Sequence, residues 1–149
     1  MKPAGADALR ISHFDALEWT NPAATESLPE HLREVARQIR RKGLVDGENG
    51  FFASHVTMPP GHVADPHSHS HGELFVILSG SMELRAGDTT TMLAQHDAAS
   101  IPAGQTYGFT IGPDGVAFLL VRTARATATI ASTTDSTAAS AASSAVPPA

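Results

Sequence analysis

Cysteine is absent from the chain. That excludes disulfides and thiolate metal sites together, so any metal bound here is held by nitrogen and oxygen. Long apolar runs are missing too: none approaches the roughly 20 residues a membrane helix needs, and no membrane partner is expected. Met1 to Arg10 contains no apolar stretch of the signal-peptide kind, and the expected compartment is the cytoplasm. Positive charge is in short supply, with 10 Lys and Arg against 15 Asp and Glu and a formal net charge of −5. Without a global positive field to attract phosphates, and without a DNA-binding helix pair, no nucleic-acid partner is expected. What remains is an ordinary globular composition, 42% hydrophobic and 17% charged over 149 residues, enough for one domain with a buried core. The unusual surplus is histidine. There are eight, several of them close together.

Three regions follow from the pattern along the chain. Residues 1–43 read as an N-terminal arm and helix, with Ile11, Phe14, Leu17 and Trp19 anchoring the arm to the main body. Ser27-Leu28-Pro29-Glu30 has the form of a capping box. Leu28, Leu32, Val35, Ala36 and Ile39 then fall on one helical face, and Arg40, Arg41 and Lys42 suit the negative end of the dipole. Gly43 is placed to stop the helix. Arg33, Arg37, Arg40 and Arg41 lie off the apolar stripe, as a solvated face paired with Glu30 and Glu34.

Residues 44–124 change period. Short runs rich in Phe, Val, Ile and Thr (Phe51–Met58, Glu73–Leu78, Met82–Arg85, Thr89–Leu93, Ala98–Ile101, Gln105–Ile111 and Val116–Arg122) alternate with Gly, Pro and Asp turns. The turns include Ser79-Gly80 and Gly112-Pro113-Asp114-Gly115. Many short strands at this spacing predict an all-β sandwich or barrel. Alternation of Phe75 and Ile77 against Leu74, Val76 and Leu78 reads as core packing on both faces. Residues 125–149 collapse into Ala, Ser and Thr, a composition that cannot bury enough apolar surface to offset its ordering entropy, and read as a disordered tail.

The chemistry concentrates between Gly61 and Gly80. His67 and His69 stand at alternate positions of an extended segment and project to one face, where two imidazole nitrogens can meet one ion. Gly72 lets the chain turn, and Glu73 opens the next strand with a carboxylate to complete the set. Two neutral imidazoles and one carboxylate leave a divalent ion with net positive charge and open coordination positions. His71 shares the parity of the pair but falls in the bend before Glu73, and exposure is the expectation. His62 and His96 fall in turns and read as surface residues. His55 is open to a pocket-lining role without being assigned one, and Phe109, with the parity of Tyr107, is open to pocket lining or core filling.

This stretch resembles the first motif of the cupin superfamily, G(X)5HXH(X)3–4E(X)6G, at every fixed position: Gly61, His67, His69, Glu73 and Gly80. The second motif, G(X)5PXG(X)2H(X)3N, is matched at Pro102 and Gly104, while His96, Tyr107 and Ile111 stand where Gly, the fourth ligand His and Asn belong. The resemblance covers about Phe51–Arg122. It implies a double-stranded β-helix, the jelly-roll barrel of the cupins, carrying an N-terminal helix, and commonly a homodimer.

It also implies a metal held by His67, His69 and Glu73, with Fe(II) favoured and Mn, Ni and Zn compatible. A two-histidine, one-carboxylate set has the composition found in non-haem iron oxygenases, and the expected function is an Fe(II)-type dioxygenase acting on a small organic substrate. A non-redox lyase or isomerase is the alternative, although cupin lyases acting on sulfonium compounds often carry Tyr at the position held here by Phe75. A small-molecule-binding or sensory cupin without turnover is the third. Tyr107 is the catalytic candidate, with four roles open: phenolate ligand, general acid or base, hydrogen-bond partner of a metal-bound water, or pocket wall.

Overall fold

The computed structural model describes residues 8–21, 30–125 and 128–130. Among these residues one short α-helix, α1 (Glu30–Ala36), and two single 3-10 turns accompany eight strands: β1 (Arg40–Asp46), β2 (Phe52–Met58), β3 (Val63–His69), β4 (Glu73–Ala86), β5 (Thr89–Leu93), β6 (Ala98–Ile101), β7 (Tyr107–Arg122) and β8 (Ala128–Ile130). All pairings are antiparallel, in the path β1-β2-β7-β3-β8, with β4 joined to β5, β6 and β7. The result is a curled antiparallel barrel of the expected all-β class. Among the described residues no helix is long and apolar enough to cross a membrane.

The two longest strands organise it. β4 and β7 pair from Glu73↔Arg122 at one end to Ala86↔Tyr107 at the other, with register shifts between Ile77 and Ser79 and between Gly80 and Met82. Ser79-Gly80 and Gly112–Gly115, expected as turns, lie inside these continuous strands. Bulges bend them instead of ending them, so each strand serves both halves of the barrel. At Gly80 the backbone is left-handed (φ +73°), and an added Cβ would collide with the Gly115 carbonyl. Glycine is required there because the strands approach backbone to backbone.

Residues at alternate positions of each strand fill the interior. Val56 and Met58 of β2, Phe75 and Ile77 of β4, and Phe109, Ile111, Phe118 and Leu120 of β7 are buried. Only one sheet face is core, however. Leu74 and Leu78, expected to pack on a second buried face, are 38% and 37% exposed, because among the described residues no second layer covers the outer face of β4.

The N-terminal region departs from expectation at its boundary. Helix α1 ends at Ala36, and Arg40, Arg41, Lys42 and Gly43 belong to β1, where Arg41 faces Val56 and Gly43 faces Ser54. Locally the run reads as the basic end of a helix. Pairing with β2 satisfies its backbone more completely, and tertiary context overrides propensity. The expected cap at Ser27–Pro29 lies outside the described residues. Arg33 and Arg37 do pair with Glu30 (2.8 Å) and Glu34 (3.3 Å). The arm packs through Phe14 and Trp19, whose rings meet His55 at 4.8 and 5.7 Å and receive the Lys42 ammonium at 3.9 and 4.8 Å from their centroids. His55 is therefore an outer-face residue. Ala128–Ile130, placed by composition in the tail, adds a strand to β3 opposite His67–His69; residues 131–149 lie outside the described set.

Candidate functional site

Strand register assembles the polar centre of the barrel. Tyr107, the first residue of β7, lies across from His67 on β3, and Arg122, the last, lies across from Glu73 on β4. His69 follows His67 at the same parity. All five are buried, none more than 4% exposed. The sequence-predicted trio and Tyr107 thus converge on one place, joined by a residue that the sequence reading passed over. Arg122 had a signal: after Val116, Phe118 and Leu120 it occupies the next inward position of β7, where a charge is unexpected.

The carboxylate of Glu73 is the hub. Its Oε1 accepts a hydrogen bond from the Tyr107 hydroxyl at 2.7 Å. Its Oε2 accepts from Arg122 Nε at 2.8 Å and from Nη2 of the same guanidinium. His69 Nε2 stands 3.4 Å from Oε1. His67 donates its Nδ1–H to the backbone carbonyl of Asp65 at 2.8 Å, since a carbonyl can only accept. That leaves Nε2 with the lone pair. His67 Nε2, both ring nitrogens of His69 and Arg122 Nη1 are buried without a hydrogen-bond partner.

Burial sets the protonation states. It lowers the His67 pKa and, with the charge of Arg122 and the neighbouring His67, drives that of His69 down to about 3. Both imidazoles are neutral at neutral pH. Tyr107 is pushed above the ordinary phenol value, first by burial and then by the charge and hydrogen bond of Glu73. It stays a protonated donor, and its partner is Glu73, a role outside the four considered from sequence. Replacing Tyr107 with Phe should cost about 1.5–3 kcal/mol, the range for a hydrogen bond to a charged group, read from urea unfolding. An unchanged midpoint would mean the bond contributes nothing.

The donor set does not fit the expected metal. Two imidazole nitrogens are available, but Glu73 is committed to Arg122 and Tyr107. Among the described residues no three His, Cys, Asp or Glu side chains are disposed to hold one ion. A divalent ion about 5 Å from the buried guanidinium would meet a repulsion of about 7 kcal/mol at an effective dielectric of 20.

Of the remaining histidines, His71 and His96 are exposed, as expected. His62 is not: it is 4% exposed. Its carbonyl accepts from Ile111 N–H at 2.8 Å, and Gly61 N–H donates to the Ile111 carbonyl, so the turn is tied onto β7 and its side chain is drawn inward.

Space around the centre is uneven. An inner cavity of about 20 Å³, bounded by His69, Glu73, Phe75, Tyr107, Phe109 and Arg122 among others, holds little more than one water. A cleft of about 450 Å³ lies between the N-terminal arm and the β1–β2 edge, lined by Ser12, Leu17, Arg41, Phe52, Ser54 and Arg125 among others. In the β2–β7 register Phe52 faces Arg122 and Ser54 faces Leu120, so this cleft lies one strand from the polar centre, none of whose five residues lines it; a separate cleft of about 330 Å³ is lined by Glu73, Pro102 and Arg122 among others.

A family model described as "Cupin domain" matches residues 54–121. Solved structures with the same fold include KdgF from Halomonas sp. (19% identity, TM-score 0.61, covering 78% of this chain and 94% of that one). An RmlC-like cupin from Shewanella frigidimarina matches with 15% identity and TM-score 0.62, over 80% and 96% of the two chains. The polyketide cyclase RemF from Streptomyces resistomycificus matches with 20% identity and TM-score 0.63, over 85% and 88%. No curated protein sequence matches the chain.

Proposed function

We propose that this chain, whose residues 54–121 match a cupin-domain model and whose fold is that of solved cupin structures, binds a small organic molecule through an oxygen-bearing anionic end, without a resident metal. The observation that carries this is Arg122: a buried guanidinium that pairs with Glu73 through one edge and keeps Nη1 without a partner. A buried unpaired N–H is costly, and a ligand oxygen relieves it. A cleft of about 330 Å³, within the range of a small-molecule site, is lined by Glu73 and Arg122 themselves, and the 450 Å³ cleft one strand away is lined by Arg10, Arg41 and Arg125 among others.

Recognition suits the polar centre better than proton transfer does. An efficient acid or base titrates near the working pH. Here burial moves His69 to about 3 and Tyr107 above the phenol range, so both sit far from it. This favours the binding or sensory cupin over the lyase or isomerase. Neighbours with the fold include proteins named for enzymes, among them RemF and the DMSP lyases RdDddP and RnDddQII, so the fold itself is compatible with either.

The metal-dependent reading, an Fe(II)-type dioxygenase of a small organic substrate, has one observation in its favour. His67 is held by Asp65 in the tautomer that presents Nε2 to the interior, the arrangement common in metal-ligating histidines. It requires Arg122 to release Glu73.

Calorimetric titration with a panel of small aliphatic and aromatic carboxylates separates the two. Binding of one class, weakened at least about tenfold in Arg122→Lys, is the expected result; that variant keeps the charge and loses the fork. If no carboxylate binds, and protein loaded anaerobically with Fe(II) consumes oxygen with a substrate, the dioxygenase reading replaces this one.

A further inference from the structure

We propose that the cleft of about 450 Å³ between the N-terminal arm and the β1–β2 edge is a binding site of its own, which takes a small aromatic acid: a planar ring carrying one carboxylate. None of the five polar-centre residues lines it, so this site stands or falls apart from the ligand reading of Arg122.

Strand register builds the floor. Arg41 pairs with Val56, and Gly43 with Ser54, across β1 and β2. Residues directly opposite in an antiparallel pair point to the same face, and Val56 and Ser54 are buried, so Arg41 and Gly43 belong to the inward face. At Gly43 neither backbone nor packing asks for glycine. It is not among the glycines with positive φ, and an added Cβ would meet nothing within 4 Å. A strand glycine often marks a place where a ligand or another backbone approaches closely. Here the missing side chain leaves the floor of the cleft clear.

The arm forms the facing wall through Arg10, Ser12, Leu17 and Thr20, and it is fastened in place. Thr20 and Arg41 exchange backbone hydrogen bonds at 2.8 Å. The Ser12 hydroxyl donates to the Leu44 carbonyl at 2.5 Å, and the Lys42 ammonium donates to the Phe14 carbonyl at 2.8 Å. The cleft is therefore preformed, and a ligand need not order the arm to bind.

The lining selects the ligand. Among the described residues it carries three guanidiniums, Arg10, Arg41 and Arg125, against two carboxylates, Asp46 and Glu48. Glu48 and Asp46 pair with Arg10 and Arg125 at 3.1 and 2.5 Å, and both of these guanidiniums are exposed. Arg41 lies deeper, half-buried. Burial, then the like charges of Arg122 and Arg125, outweigh the help of Asp46 and disfavour its charged form. A carboxylate beside it offsets both effects, whatever else the side chain touches. Phe52 on β2 and Leu17 on the arm are half-buried and offer apolar surface from two sides. The Arg125 guanidinium lies 5.3 Å from the Phe52 ring centroid, so a ring stacked on Phe52 sets its acid group among guanidiniums.

Calorimetric titration with benzoate tests this, with benzamide as the control lacking the charge and acetate as the control lacking the ring. Each control is expected to bind at least about tenfold more weakly than benzoate. Gly43→Leu fills the floor without removing a contact and should weaken benzoate at least about tenfold while Tm holds. Arg41→Gln should weaken it to a similar degree. Should Gly43→Leu fail to fold, Gly43→Val, which suits a strand, is read in its place. The proposal is overturned if benzoate does not bind, or if its affinity survives a folded variant with the floor filled. Loss of benzoate in Arg122→Lys, with Gly43→Leu and Arg41→Gln at wild-type affinity, overturns this site and leaves the Arg122 reading standing. The converse pattern supports this site and denies benzoate to Arg122.

Discussion

Glu73→Ala should lower the free energy of unfolding by about 3–5 kcal/mol, the cost of leaving a buried charge without its partner. Among the described residues Glu73 is the only carboxylate paired with Arg122, and neither side chain is more than 2% exposed. The substitution also strips the Tyr107 hydroxyl of its acceptor and leaves a void beside Phe75 and Phe109. Glu73→Gln keeps an acceptor oxygen in the same place and removes the charge, so its cost should fall between those of Glu73→Ala and Tyr107→Phe. Urea unfolding at neutral pH orders the three. A Glu73→Ala loss below about 1 kcal/mol, the range of an exposed pair, would show that the buried pair does not form in solution.

Acid should destabilise the protein well above the usual carboxylate range, and His62 should account for much of the effect. Burial lowers the His62 pKa from 6.5 to about 4. Between those values the unfolded chain holds a proton at this position and the native state does not, so stability rises with pH across the window. The contribution is fully present above about 6.5, is lost progressively on acidification, and amounts to about 2–3 kcal/mol by pH 4.5. His69, lowered to about 3, adds to the loss with the same sign. Unfolding curves recorded from pH 7.5 to 4.5 should show this fall, and His62→Leu, which cannot take the proton, should flatten it by about the stated amount. A His62→Leu profile parallel to that of wild type would mean the imidazole is hydrated in the native state.

The neutral imidazoles and the Glu73–Arg122 ion pair describe a polar centre whose one buried carboxylate is balanced by one guanidinium. Arg122 explains why a complete first cupin motif at Gly61, His67, His69, Glu73 and Gly80 can coexist with a tyrosine at the fourth ligand position. Once Glu73 is neutralised by a guanidinium, nothing at position 107 is needed to hold an ion, and a phenol that donates to the same carboxylate completes its hydrogen bonding.

Much of this protein was legible without coordinates. Period-two alternation and turn chemistry located β2, β5 and β6 to within a residue, because a half-buried strand must alternate whatever it pairs with. His67, His69 and Glu73 were legible as neighbours because strand parity is local, and Tyr107 through its place in the second motif. Other features depend on partners distant in sequence. Arg40–Gly43 reads as a helix end until β2 offers it a ladder. Ala128–Ile130 reads as tail until it lies along β3. His62 reads as a turn residue until Ile111 draws its backbone onto β7.

The site divides along the same line. Residue spacing alone determined that two imidazoles and a carboxylate would meet inside an all-β barrel. What the carboxylate would do there was decided by Arg122, 49 residues away in sequence and brought opposite Glu73 by the β4–β7 register. A local pattern can place a charge. Its partner is chosen by the fold, because the cost of a buried charge depends on everything packed around it.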